Sequence, residues 1–115
     1  MSFQMRVPDV AELTEFFGSE PVEHSAEDGY WCYEFTDELG IQIRLSFNIH
    51  ERSLQTTLSS RGRQFATVLH EQADDLTVSG QCLSCVFSSE SSKTTLTVHL
   101  HDGATSVRWS TLRTA

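Results

Sequence analysis

The chain has 115 residues, 38% hydrophobic content and a formal net charge of −8, values that suit one folded domain over residues 1–115 without disulfide or metal staples. Its acidity argues against nucleic acid, whose phosphates are bound through Lys and Arg, and no run approaches the roughly 20 apolar residues of a membrane-spanning helix. The start, Met1 to Pro8, lacks the charged and then apolar regions of a secretory signal, so Cys32, Cys82 and Cys85 read as reduced thiols of a cytoplasmic protein.

Residues 8–18 predict the first element, a short helix. Asp9 stands at its N-cap with Glu12 three residues on, a capping-box-like pattern, and Gly18 supplies a left-handed stop. Val10, Leu13 and Phe17 make one apolar stripe. A helix of about two turns does not hold in water alone, so it must dock, and the partner on offer is a sheet. Order is expected from about Pro8 onward.

After Gly29 the period changes to two. Trp31, Tyr33 and Phe35 alternate with Tyr30, Cys32 and Glu34, and then Ile41, Ile43, Leu45, Phe47 and Ile49 alternate with Gln42, Arg44, Ser46, Asn48 and His50. A three-residue loop, Glu38-Leu39-Gly40, with Gly40 at positive φ, sets Phe35 opposite Ile43 and Tyr33 opposite Leu45. The same register puts Glu34 opposite Arg44 on the outer face. A second hairpin through 50–53 continues the inner face in Leu54, Thr56 and Leu58, and 59–63 reads as a polar turn. Segment 64–71 fits a strand or a short helix. Segments 76–79, 81–88, 94–100 and 105–113 read as strands, the last two joined by Asp102-Gly103. The expected fold is α+β and mainly β: one short N-terminal helix packed on an antiparallel β-meander, its strand order left open.

The candidate chemistry is thin. Cys82-Leu-Ser-Cys85 has the spacing of half a zinc site or a redox pair. On a strand, however, residues three apart face opposite ways, and no helix starts there to activate a thiol. His99-Leu-His101 places two imidazoles on one strand face, but spacing selects no further ligand from His24, His50, His70 or Glu90. No serine stands in a G-x-S-x-G elbow, and the glycines are scattered singly, with no phosphate cradle among them. The pairs Asp74-Asp75, Glu27-Asp28 and Asp37-Glu38 fall in predicted loops. A non-enzymatic protein without metal or cofactor is expected.

Charge is the uneven feature. Residues 1–38 hold ten carboxylates against one cation, Arg6, a net −9, while 39–115 hold six against seven, a net +1. Asp9, Glu12 and Glu15 suit the start of the helix, and Glu34 has Arg44. That leaves Glu20, Glu23, Glu27, Asp28, Asp37 and Glu38, which with Tyr30 form the expected partner-binding surface, aimed at a basic protein. The same charges also serve solubility.

The helix ending Phe16-Phe17-Gly18, Pro21, the aromatic strand Tyr30-Trp31-Cys32-Tyr33-Glu34-Phe35 and the closing Trp109-Ser-Thr-Leu112 together resemble the small acidic immunity proteins of bacterial toxin–immunity systems. The resemblance implies a cytoplasmic protein that binds a cognate toxin, by charge a basic one such as a nuclease, and occludes its active site. Two other readings stand beside it. An acidic effector secretion chaperone is similar in size and in its helix-then-hairpin opening, but ends in a long helix where 94–113 reads as strands. A small metal- or ligand-binding β-domain would be built on His99 and His101.

Overall fold

In the computed structural model, which describes residues 5–100 and 104–113, helix α1 spans Val10–Phe17. The Asp9 carboxylate accepts the Glu12 N–H at 2.9 Å, and Gly18, at φ 74°, carries the chain out while its N–H bonds the Thr14 carbonyl. Leu13 and Phe17 are buried, but Val10, expected in the same stripe, is 45% exposed.

Nine strands follow among the described residues: β1 (Glu23–Ser25), β2 (Tyr30–Thr36), β3 (Ile41–Asn48), β4 (Ser53–Ser60), β5 (Arg63–His70), β6 (Ala73–Ser79), β7 (Cys82–Ser88), β8 (Ser92–Leu100) and β9 (Thr105–Arg113). They form two antiparallel sheets, β1-β2-β3-β4-β5 and β6-β7-β8-β9, in which every strand pairs with its neighbour in sequence. The mainly β fold with one N-terminal helix is therefore present, with the meander divided into two layers. The break falls at Glu71-Gln72, where Gln72 takes φ 61°. Strands β8 and β9 occupy the end of the chain where a secretion chaperone carries its long helix.

The β2–β3 register is the one expected: Phe35 opposite Ile43, Tyr33 opposite Leu45 and Glu34 opposite Arg44. Its loop is closed by the Asp37 N–H on the Ile41 carbonyl at 2.9 Å, with Gly40 at φ 85°. The β4–β5 turn is tight because Arg61 and Gly62 both take positive φ, as a two-residue hairpin turn requires. Segment 64–71 resolves as strand β5, with a bulge opposite Leu58 and Ser59.

The inner faces of both sheets share one core. Ile43, Leu45, Phe47 and Leu54 meet Leu83, Cys85, Phe87, Leu96 and Val98, and Leu13 and Phe17 join them from the helix. Phe17 stacks on Tyr33 at 4.9 Å between ring centroids. Order begins earlier than Pro8. Met5 is buried in the core, and the Arg6 backbone bonds along β6, its N–H to Asp74 O at 3.0 Å and its C=O receiving the Leu76 N–H at 2.8 Å. Segment 5–7 thereby covers one edge of the second sheet. Arg52 adds a latch between layers, pairing with Asp74 and donating Nε–H to the Ala73 carbonyl at 3.2 Å.

His70 closes β5 with its ring stacked on Phe87 at 4.4 Å, and its buried Nε2 has no hydrogen-bond partner. Desolvation lowers its pKa. The folded state therefore binds a proton less readily than the unfolded chain, so stability falls as pH drops below the unfolded value of about 6.5. His70→Phe keeps the stacked ring and removes the proton site. Urea midpoints at pH 7.5 and 5.5 should differ less for this variant than for the parent chain; equal differences would mean His70 is not the acid-sensitive group.

Candidate partner-binding surface

Strand alternation sends one set of side chains away from the core, and across β1, β2 and β3 this outer set is mainly polar. Glu23, Cys32 and Ser46 lie in one row across β1, β2 and β3, and Glu34 and Arg44 in the next. The Arg44 guanidinium sits between two carboxylates, bonding Glu23 through Nη2 and Glu34 Oε2 through Nη1 at 3.0 Å. The Tyr30 hydroxyl donates to Glu23 Oε1 at 3.2 Å. Burial, the nearby Cys32 and the bond to Glu23 all raise the Tyr30 pKa, which keeps the phenol a donor. Cys32 is buried among these groups. Its desolvation outweighs the attraction of Arg44 and the bond from Tyr30, so its thiol pKa is raised and the group is a poor nucleophile.

The candidate acidic residues separate into places with different roles. Glu27 and Asp28 are exposed in the β1–β2 turn, where Asp28 Oδ2 accepts the Ser25 hydroxyl at 2.8 Å. That turn is pressed on the β3–β4 turn. Gly29 (φ 70°) accepts the Ile49 N–H at 2.9 Å, and a Cβ there would come within 2.7 Å of the Ile49 and His50 side chains. The contact brings exposed Glu51 to the same end of the sheet, and β5 delivers exposed Glu71 there too. Neither was selected from the sequence. The signal available was connectivity: in a meander every second turn lies at one end.

Glu20 opens on the helix side, where with His24, Val10, Thr14, Pro21, Ala26 and Trp31 it lines a groove of about 350 Å³. Glu38 is exposed at the far end of β2, a strand of seven residues and so about 20 Å away. The exposed Arg61 of the β4–β5 turn and Arg63 at the start of β5 lie at the same end of the sheet. Asp37 is 7% exposed. Its Oδ1 accepts the Leu39 and Ile41 N–H groups, both at 2.9 Å, and its Oδ2 accepts the Thr105 N–H at 2.8 Å. Desolvation pushes this carboxyl up, but the bonds from Ile41, Thr105 and Leu39 outweigh it and hold its pKa below the usual range. Asp37 ties the β2–β3 loop to β9 and has no oxygen turned to a partner.

Cys85 lies on the inner face of β7, its thiol pushed up to about 12 by burial and then by Asp75 and Asp74. Cys82 is on the other face, with Sγ 3.9 Å from Ser84 Oγ, so the two thiols do not converge. His99 is exposed on β8 in register with Cys82 and Ser106; His101, Asp102 and Gly103 lie outside the described residues. Among the described residues no three His, Cys, Asp or Glu side chains gather to hold a metal, and no helix is long and apolar enough to cross a membrane.

No protein-family model matches this chain, and no curated protein matches it in sequence. A chain of a solved structure described as a contact-dependent growth inhibition toxin–immunity protein complex from Klebsiella pneumoniae 342 is similar to it, with a TM-score of 0.84 and 16% identity, covering 96% of this chain and 100% of that one. The likeness shows a shared fold over nearly all of this chain, in keeping with the resemblance to immunity proteins.

Proposed function

We propose that this chain is an immunity protein, a cytoplasmic binder that neutralises a cognate bacterial toxin by covering its active site. The observation that carries the reading is the likeness to a chain of a toxin–immunity complex over 96% of this chain and all of that one. Charge supports it. Glu27, Asp28, Glu51 and Glu71 stand exposed at one end of the first sheet, with Glu23 and Tyr30 beside them on β1 and β2 and Glu20 on the helix side. Loops held by a packed β-scaffold present such charges with little entropy left to lose on binding. The fitting partner is a toxin domain with Lys and Arg around its cleft, for which opposite charge speeds encounter and disfavours wrong partners. Glu38 belongs to this surface only if the partner spans the full length of β2.

The test is to find whether a toxin-domain protein is encoded beside this chain, to co-purify that domain with the untagged chain, and to assay the toxin with and without it. A stoichiometric complex with loss of toxin activity is the expected result. A toxin domain that stays free and active counts against the proposal.

A further inference from the structure

The two sheets have four edges, and they differ in how they are finished. β1 is three residues long, and the edge of β6 is bonded by Arg6. β9 sets the charged Arg108 outward in mid-strand, a common guard against pairing with another strand. β5 has none of these devices along residues 65–70: Phe-Ala-Thr-Val-Leu-His carries no formal charge at pH 7 with His neutral, and no proline, and no described strand pairs with its free side. Its outward side chains include Phe65 at 58% and Leu69 at 59% exposure, large apolar groups flanking Thr67 on the same face.

The charges on β5 sit at its ends and differ in sign. Arg61 and Arg63 lie at its start, on the near side of the bulge, and Glu71 follows its last residue. A second strand of the same sequence laid parallel would bring arginine against arginine. Laid antiparallel about Thr67, it brings Phe65 of each copy opposite Leu69 of the other and the arginine end of each against Glu71 of the other. The segment is complementary to itself in both apolar and charged groups, which is the requirement of a two-fold interface.

We propose that this protein self-associates through β5, two copies pairing antiparallel so that their five-stranded sheets join into one. The interface is built on backbone pairing and two small apolar contacts, below the usual size of stable complexes, so dissociation in the range of about 1–100 µM is expected. Of the acidic end, Glu71 passes into the dimer contact while Glu27, Asp28 and Glu51 stay outside the paired strands, so the dimer leaves these three for the toxin.

Sedimentation equilibrium of the untagged full chain over that range should show a mean mass rising from 13.0 kDa toward twice that value. Leu69→Lys, at an exposed position, should hold the chain monomeric to at least about tenfold higher concentration, because it sets charge in place of the apolar contact twice over. Arg63→Glu should weaken association, and Arg63→Glu with Glu71→Arg should restore it. Thermal melts confirm that each variant is folded. A mass fixed at 13.0 kDa overturns the proposal. So does association that Leu69→Lys leaves unchanged, which would place the contact elsewhere. A monomer whose 65–70 amides become protected from exchange only on adding the toxin domain would show a partner's strand on this edge, ending the dimer reading while the immunity reading stands. A dimer that does not bind the toxin would do the reverse.

Discussion

Asp37→Ala is expected to lower the stability of this protein by about 4 kcal/mol, read as a shift in urea midpoint at constant slope. Three backbone N–H groups, those of Leu39, Ile41 and Thr105, donate to this one carboxylate. Hydrogen bonds to a charged group contribute about 1.5–3 kcal/mol each, and their sum falls short of additivity because the donors share one acceptor. Asp37→Asn keeps one accepting oxygen and should lose roughly half as much. The folded-state pKa is depressed, so the contribution is complete above the unfolded value of about 3.9 and disappears as pH falls through the lower folded value. The gap between variant and parent should therefore close in that acid window. A loss under about 1 kcal/mol at neutral pH would mean the donors find other acceptors.

The second large effect concerns binding. Converting Glu27, Asp28 and Glu51 to Lys together should slow association with the cognate toxin domain by about a hundredfold at low salt, with less change near physiological ionic strength, where the screening length is about 8 Å. Glu38→Lys, at the opposite end of the sheet, is the control for position, and each of the three reversals made singly should slow association more than it does. Stopped-flow mixing at two salt concentrations measures both. Equal on-rates for the triple variant and the parent would remove the acidic end from the encounter, though not occlusion itself. Asp37→Ala serves here too, since its effect should be on stability and leave the on-rate of the folded protein alone.

The contrast between Asp37 and Glu27 shows what could be read from residue order. Local rules worked at the helix ends and the first long hairpin, though not for Val10, which the helix stripe places inward and the structure leaves exposed. Asp9 and Gly18 bound the helix, Gly40 turns the first long hairpin, and the Glu34–Arg44 register follows from that turn. Asp37 was grouped with the surface carboxylates because one of its donors, the Thr105 N–H, is 68 positions away, and no periodicity connects them. The division into two sheets was hidden for a related reason. It depends on a two-residue step at Glu71-Gln72, with neither Gly nor Pro to mark it. Strand β5 was ambiguous because Phe65 and Leu69 face solvent, which blurs the alternation that identifies a strand. Glu51 and Glu71 were missed because their link to Glu27 and Asp28 exists only after the hairpins have closed.

The pairing of each strand with its sequence neighbour also bears on how the protein reaches its native state. Every ladder can close from a short turn, so the search for partners is local and the entropy lost in loop closure is small. The first sheet is complete by His70, and on a ribosome its hairpins can zip one after another while residues of the second sheet are still being added. Joins between the sheets must wait for distant chain, among them the shared core, the Asp37–Thr105 clamp, the Arg52–Asp74 latch and the seating of segment 5–7 on β6. A polypeptide arranged in this way acquires its hydrogen-bonded framework early and locks its layers last.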